Sequence, residues 1–258
     1  MADSRATRRK LFMHAAHKTI GVSPAAAALP ACDGPSVGLP DKLRRPLRVC
    51  LVAGSTERRL HESYAELEQY LQRHCNLECC RSFRTADCEP AEAKNRRTPD
   101  CALLIGRPAA IEKELLWQLE QHCRLGGPIV GVRSAGYALQ DPLQMGPNVF
   151  GVDYRGRHGN QSTQVEVVQQ MADHPVLAGV EPFVSQGALE RNFGVARDAV
   201  VLLRGNCDHG QHPVAWTRKH NGGRVFYTSL GHPEDFRHDS FRKLLANALF
   251  WAGLRERP

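Results

Sequence analysis

Residues 224–236 read RVFYTSLGHPEDF, a strand-forming, largely apolar run that passes directly into glycine, histidine, proline and two acids. An unbroken run of β-branched and aromatic side chains predicts a buried strand, and Gly231-His232-Pro233 ends it. Working outward, 47–53 (LRVCLVA), 77–83, 100–106 (DCALLIG) and 128–132 have the same character. Between them lie helical patterns. In 61–74, Tyr64, Leu67, Tyr70 and Leu71 recur at helical spacing, with Ser63 and Glu66 as a predicted capping box. In 109–125, Ile111, Leu115, Leu116, Leu119 and Cys123 form one stripe, which Gly126-Gly127 terminates. Strands that alternate with helices predict a parallel sheet covered on both faces, because right-handed crossovers put the helices there. The second half changes character: 163–168, 199–203, 214–217 and 224–230 are strand-like with short connections, which predicts antiparallel additions. A closing helix over 240–254 completes a doubly wound α/β domain spanning 47–258.

Composition narrows the function classes. At 42% hydrophobic and 24% charged residues the chain has the balance of a folded globular protein, and no apolar run is long enough to cross a bilayer. The net charge of +7 is unevenly placed: residues 1–48 hold nine Lys or Arg against three Asp, so +6 of it lies there. A near-neutral body without a basic stripe argues against a nucleic-acid groove. The basic segment 1–46 reads as a flexible tail. Its Thr7-Arg8-Arg9-Lys10-Leu11-Phe12, followed by alanines and Cys32, also has the order of a twin-arginine export signal, although His14, His17, Lys18 and Pro24 interrupt the apolar stretch. A cytoplasmic protein is the expectation, with export as the alternative. The nine cysteines show no CxxC pair and no zinc-ribbon spacing, and Cys50 and Cys101 read as small buried hydrophobes.

In an open α/β sheet, ligands sit beyond the carboxyl ends of the parallel strands. That rule nominates the loops 54–62, 106–109, 132–138 and 230–236. Two of them carry chemistry. His232 and Glu234 follow one strand, where Glu234 would hold the imidazole tautomer and His232 would act as general acid or base. The turn Gly131-Val132-Arg133-Ser134-Ala135-Gly136 follows another. The pair of loops has the layout of the class I glutamine amidotransferases, but Arg133 stands where they need a cysteine. A guanidinium offers only donors, so thioester chemistry is excluded, and Arg133 instead suits stabilisation of anionic charge. Ser134 reads either as a nucleophile activated by His232 or as a helix N-cap.

Several segments taken in order resemble the ThuA-like (trehalose-utilisation) family of the class I glutamine-amidotransferase-like superfamily. They are GPIVGVRSA at 127–135, FGVDYRGRHGN at 150–160, HPVLAGV at 174–180, PVAWTR at 213–218 and the stretch from Gly223 to Phe236. The resemblance implies a flavodoxin-like fold, with a mostly parallel sheet, helices on both faces and antiparallel additions in the second half. It also implies a carbohydrate-type small-molecule ligand. Members of the family usually carry a histidine where this chain has Tyr137, and a His-His pair where it has Arg157-His158.

The expected function is a hydrolase-like or lyase-like action on a sugar derivative, with His232, Glu234, Arg133 and Ser134 as catalytic residues. Glu57, Tyr137, Tyr154 and His158 are the candidate substrate-binding residues. The alternative is a non-catalytic sugar-binding or scaffold protein of the same fold. No cofactor is expected, with a divalent metal shared by His232, Glu234 and His158 as the alternative. A homo-oligomer is compatible with the sequence.

Overall fold

A computed structural model describes residues 45–54, 58–81, 83, 98–107, 110–137, 144–208 and 210–254, all of which fall within one compact unit, Leu39–Pro258. The basic segment read over 1–46 lies almost wholly outside the described residues, and so does Glu57.

The chain opens with β1 (Leu47–Gly54), α1 (Arg58–His74), β2 (Leu77–Cys80), β3 (Cys101–Gly106), α2 (Lys113–Arg124) and β4 (Ile129–Val132). Four short strands follow, β5 (Asp153–Arg157), β6 (Thr163–Val167), β7 (Phe183–Ser185) and β8 (Glu190–Phe193), and then the longer β9 (Val200–Cys207). A hairpin of β10 (Gly210–His220) and β11 (Gly223–Thr228) then leads to the closing helix α3 (Asp239–Ala252).

Nine strands form one sheet in the order β2-β1-β3-β4-β11-β10-β9-β6-β7. The five from β2 to β11 pair in parallel and give the 2-1-3-4-5 order of flavodoxin-like sheets, while β10, β9, β6 and β7 extend the sheet antiparallel. The expected fold class is therefore the observed one, with four antiparallel strands beside the five parallel ones. Every side chain of β3 and β4 is buried, as a strand covered on both faces requires. One core layer holds Leu60, Tyr64, Leu67 and Leu71 of α1 with Phe241, Leu244, Leu245 and Leu249 of α3. The opposite layer holds Leu116, Leu119 and Cys123 of α2 with Phe150, Trp216 and Tyr227. Cys50 and Cys101 are fully buried free thiols, the role expected of them.

Local differences have physical causes. The first helix begins at Arg58, so Ser63 lies inside it and donates to the Arg59 carbonyl, while Glu66 pairs with Arg237; the expected capping box is not formed. The stretch expected to be a loop around 150–160 is partly β5, which pairs with β8 in a separate two-stranded sheet. His174 caps the turn at Pro175–Leu177 by accepting the Val176 amide, which is the turn-setting role that its His-Pro pair predicts.

Candidate functional site

β4 and β11 are parallel neighbours with Val132 opposite Thr228, so the segments leaving their carboxyl ends emerge side by side. The first segment turns at once. Arg133 adopts φ 57, left-handed backbone that costs a side-chain-bearing residue about 1–2 kcal/mol. Two contacts hold it: the Tyr227 hydroxyl donates to the Arg133 carbonyl at 2.7 Å, and Arg133 Nη1 donates to the Gly231 carbonyl at 2.9 Å. Gly136 closes the turn against the Tyr227 ring, where a Cβ would stand 2.7 Å from the hydroxyl. Tyr227 is fully buried, and burial holds its phenol well above the ordinary range, so it stays a neutral donor.

The second segment is organised by Asp235, which is 2% exposed. Its carboxylate accepts the Ser185 hydroxyl at 2.7 Å and the amides of His232 at 2.9 Å, Gly231 at 3.0 Å and Gln186 at 3.2 Å. These donors fix the loop against the end of β7. Gly231 takes φ 121, and a Cβ there would meet Val132 Cγ1 at 2.8 Å, so only glycine fits between the two segments.

The loop presents His232, whose Nδ1 accepts the Glu234 amide at 3.4 Å as the cap of the turn Pro233–Arg237. The ring is thus oriented by main chain. The Glu234 carboxylate is exposed and lies 3.5 Å from Arg237 Nη1, so the orienting role expected of it is not the one it has. Burial, joined by the Arg133 charge, holds the imidazole below its ordinary value against the pull of Asp235 and Glu234. With Nδ1 accepting, a neutral ring carries its proton on Nε2 and offers a donor to its surroundings.

Arg133 and His232 line a cavity of about 190 Å³ whose other walls include Arg157, Ser185, Gly187 and Glu190. Glu190 is 4% exposed, and its Oε2 has no hydrogen-bond partner. A shallower hollow of about 810 Å³ is lined by Arg107, Tyr137, Tyr154 and Arg157, so Arg157 borders both. There the two tyrosine rings lie 4.9 Å apart, and the Arg107 guanidinium stands 4.9 Å above the Tyr137 ring.

Of the residues singled out from the sequence, Arg133 and His232 meet at one cavity, and Tyr137 and Tyr154 meet at the adjoining hollow. Ser134 is half-buried in the turn Arg133–Gly136 and is absent from the residues lining the cavity; the N-cap position belongs to Val132. His158 follows the end of β5, is absent from the residues lining the cavity, and stacks on His212 with ring centroids 4.5 Å apart. Among the described residues, no group of three or more His, Cys, Asp or Glu is placed to hold a metal ion. Asp235 and Glu190 were missed. Asp235 stands three residues after His232, the spacing of a capping box, and was legible on that ground. Glu190 lies in the polar strand ERNF, whose sequence carries no such signal.

The family profile described as ThuA, trehalose utilisation, matches residues 50–252. The chain belongs to the ThuA family. No curated protein matches it. Among solved structures, a ThuA-like protein from Bacteroides uniformis is similar at 20% identity, covering 81% of this chain and 92% of the other, with a TM-score of 0.58. A cytoplasmic protein from Salmonella typhimurium is similar at 12% identity, over 80% and 99% of the two chains, with a TM-score of 0.55. A carbohydrate deacetylase shares the fold over 78% of this chain and 32% of its own, at 12% identity and a TM-score of 0.51. Within the ThuA frame, Tyr137 and Arg157 occupy the two places where histidines were expected. The structure gives one to the aromatic hollow and the other to the boundary between hollow and cavity. No helix among the described residues is long and apolar enough to cross a membrane.

Proposed function

We propose that this ThuA-family chain binds a carbohydrate derivative in the cavity between Arg133 and His232 and turns it over as a hydrolase or lyase. The observation that carries this reading is the strained Arg133 turn locked to the His232 loop. A left-handed arginine held by a buried tyrosine persists only where its surroundings over-determine it, and such strain clusters at functional sites. Arg133 and the Nε2–H of a neutral His232 both aim donors where negative charge would develop on a substrate oxygen. Arg157 adds a second cation. The tyrosine hollow next to it offers ring faces for a second sugar unit. His232 acts here as a hydrogen-bond donor, and the acid–base role requires another group.

A second reading, a binding protein without turnover, is favoured by the cap on His232 Nδ1, which engages the ring nitrogen that a His–carboxylate pair would use. A thermal-shift screen of mono- and disaccharides with their keto derivatives, with and without divalent metals, followed by product analysis, separates the two. Turnover predicts a stabilising ligand whose effect is lost in Arg133→Ala and whose conversion falls at least tenfold in His232→Ala while binding persists. Stabilisation without product supports the binding protein. Conversion that is indifferent to His232 counts against the assignment of the site.

A further inference from the structure

Glu190 stands directly opposite Arg157 in the β5–β8 pair, so both side chains leave the same face of that ladder, the face that closes the cavity. The carboxyl is buried, borders the cavity and has one oxygen without a protein partner. An uncompensated charge in such a place is costly, and a carboxyl group meets the cost by pairing with cations or by keeping its proton. The groups that face it come from several elements: Arg157 and Tyr154 from β5, Arg133 from the turn after β4, and Tyr227 from β11. His232 lines the same cavity. The two arginines favour the carboxylate and burial opposes it. Burial prevails, raising the group to about 7, where both forms are populated at neutral pH. Among the other cavity-lining residues named above, both arginines stay charged, and the one lone pair of the His232 ring, on Nδ1, is engaged by the Glu234 amide.

We propose that Glu190 is the proton-transferring residue of this site, and that its Oε2 exchanges a proton with the carbon beside a carbonyl of the bound ligand. The inference rests on the carbohydrate reading of the cavity and narrows it to keto derivatives. In the step, the carboxylate takes the proton from that carbon. The C–H electron pair becomes a C=C bond as the carbonyl π pair moves to oxygen. The resulting oxyanion accepts hydrogen bonds from His232 Nε2–H and Arg133. Reversal returns the proton. Where a sugar oxygen is attached to the next carbon, the enolate re-forms the carbonyl, its C=C pair moves to form a C=C bond to that next carbon, and the C–O bond breaks with its pair on the departing oxygen, which takes the proton from Glu190. No oxidant, reductant or co-reactant enters. A buried carboxyl near neutrality beside a neutral, donating imidazole is an arrangement suited to proton abstraction next to a carbonyl.

The test compares the full chain with Glu190→Gln and Glu190→Asp. Keto derivatives of glucose and trehalose are incubated in D2O, and loss of the C–H signal beside the carbonyl is followed by NMR. The expected result is exchange that rises through a single ionisation near neutrality, slows at least 100-fold in Glu190→Gln with KM changed less than a few-fold, and is partly retained in Glu190→Asp. Exchange at the wild-type rate in Glu190→Gln overturns the proposal. So does a rise in KM with kcat unchanged, which would make Glu190 a binding group only. A ligand-free arm measures Tm between pH 5 and 9. The wild-type Tm should fall relative to Glu190→Gln as pH rises from 5 towards 7 and run parallel to it above that, and coincident curves overturn the proposal whatever the ligand. If the Tm curves separate as expected but no keto sugar binds, the carbohydrate reading fails while the proton-carrying role of Glu190 is supported.

Discussion

Glu190 carries a stability consequence that is independent of any substrate. Its folded-state value, about 7, lies above the ordinary 4.5, so the folded chain binds this proton more tightly than the unfolded chain does. Stability from this group is therefore fully present below about pH 4.5 and is lost as pH rises towards 7, with no further change from it above that. The difference converts to roughly 3 kcal/mol. Glu190→Gln keeps the shape and removes the titration, so it should be more stable than the wild type at pH 8 and close to it at pH 5, measured by urea unfolding at both. His232 shows the opposite shift for the same dominant reason, burial, which favours the uncharged form of both groups. At this scale the sequence was legible in part. His232 was found because it follows a strand end, whereas Glu190 was not, because a single acid in a short polar strand looks like any exposed charge until the chain folds over it.

At the scale of the element, the turn Arg133–Gly136 opposes conformational preference to contact. Removing the guanidinium loses the hydrogen bond to the Gly231 carbonyl, while the left-handed backbone remains strained unless the new residue lacks a Cβ. Arg133→Ala should therefore be less stable than Arg133→Gly by roughly 1 kcal/mol, although alanine is the better residue almost everywhere else. Both variants should lose the ligand response. Urea unfolding of the two, read beside the thermal-shift screen, checks this; equal stabilities would show that the turn relaxes to another conformation when the arginine is removed. The loop after β11 illustrates the same dependence on neighbours. A His-Pro-Glu-Asp sequence offers two acids, and which of them matters is decided by the end of β7, where the Ser185 hydroxyl and the amide of the following Gln186 reach Asp235 and leave Glu234 to solvent and Arg237.

Across the whole molecule, legibility followed burial. The parallel strands β1, β3, β4 and β11 are covered on both faces, so each reads as a nearly continuous apolar run and was found close to its true bounds. β5 and β8, with sequences DYRGR and ERNF, are short and polar, and their pairing depends on partners distant in the chain. These strands supply Arg157, Tyr154 and Glu190, so the half of the site contributed by the antiparallel region was the half that sequence periodicity could not reveal. The charge pattern leads to a separate expectation. All cavity residues lie between Arg133 and His232, while residues 1–38 contain five Lys or Arg and two Asp, so a chain beginning at Leu39 drops from +7 to +4. Long-range attraction to polyanions follows that net charge and is screened over about 10 Å at 0.1 M salt. The shortened chain should elute earlier from a cation exchanger and keep both the Tm and the ligand-induced shift of the full chain. A loss of the ligand shift with Tm intact would mean that the first 38 residues contribute to binding, and the site would then have to be redrawn to include them.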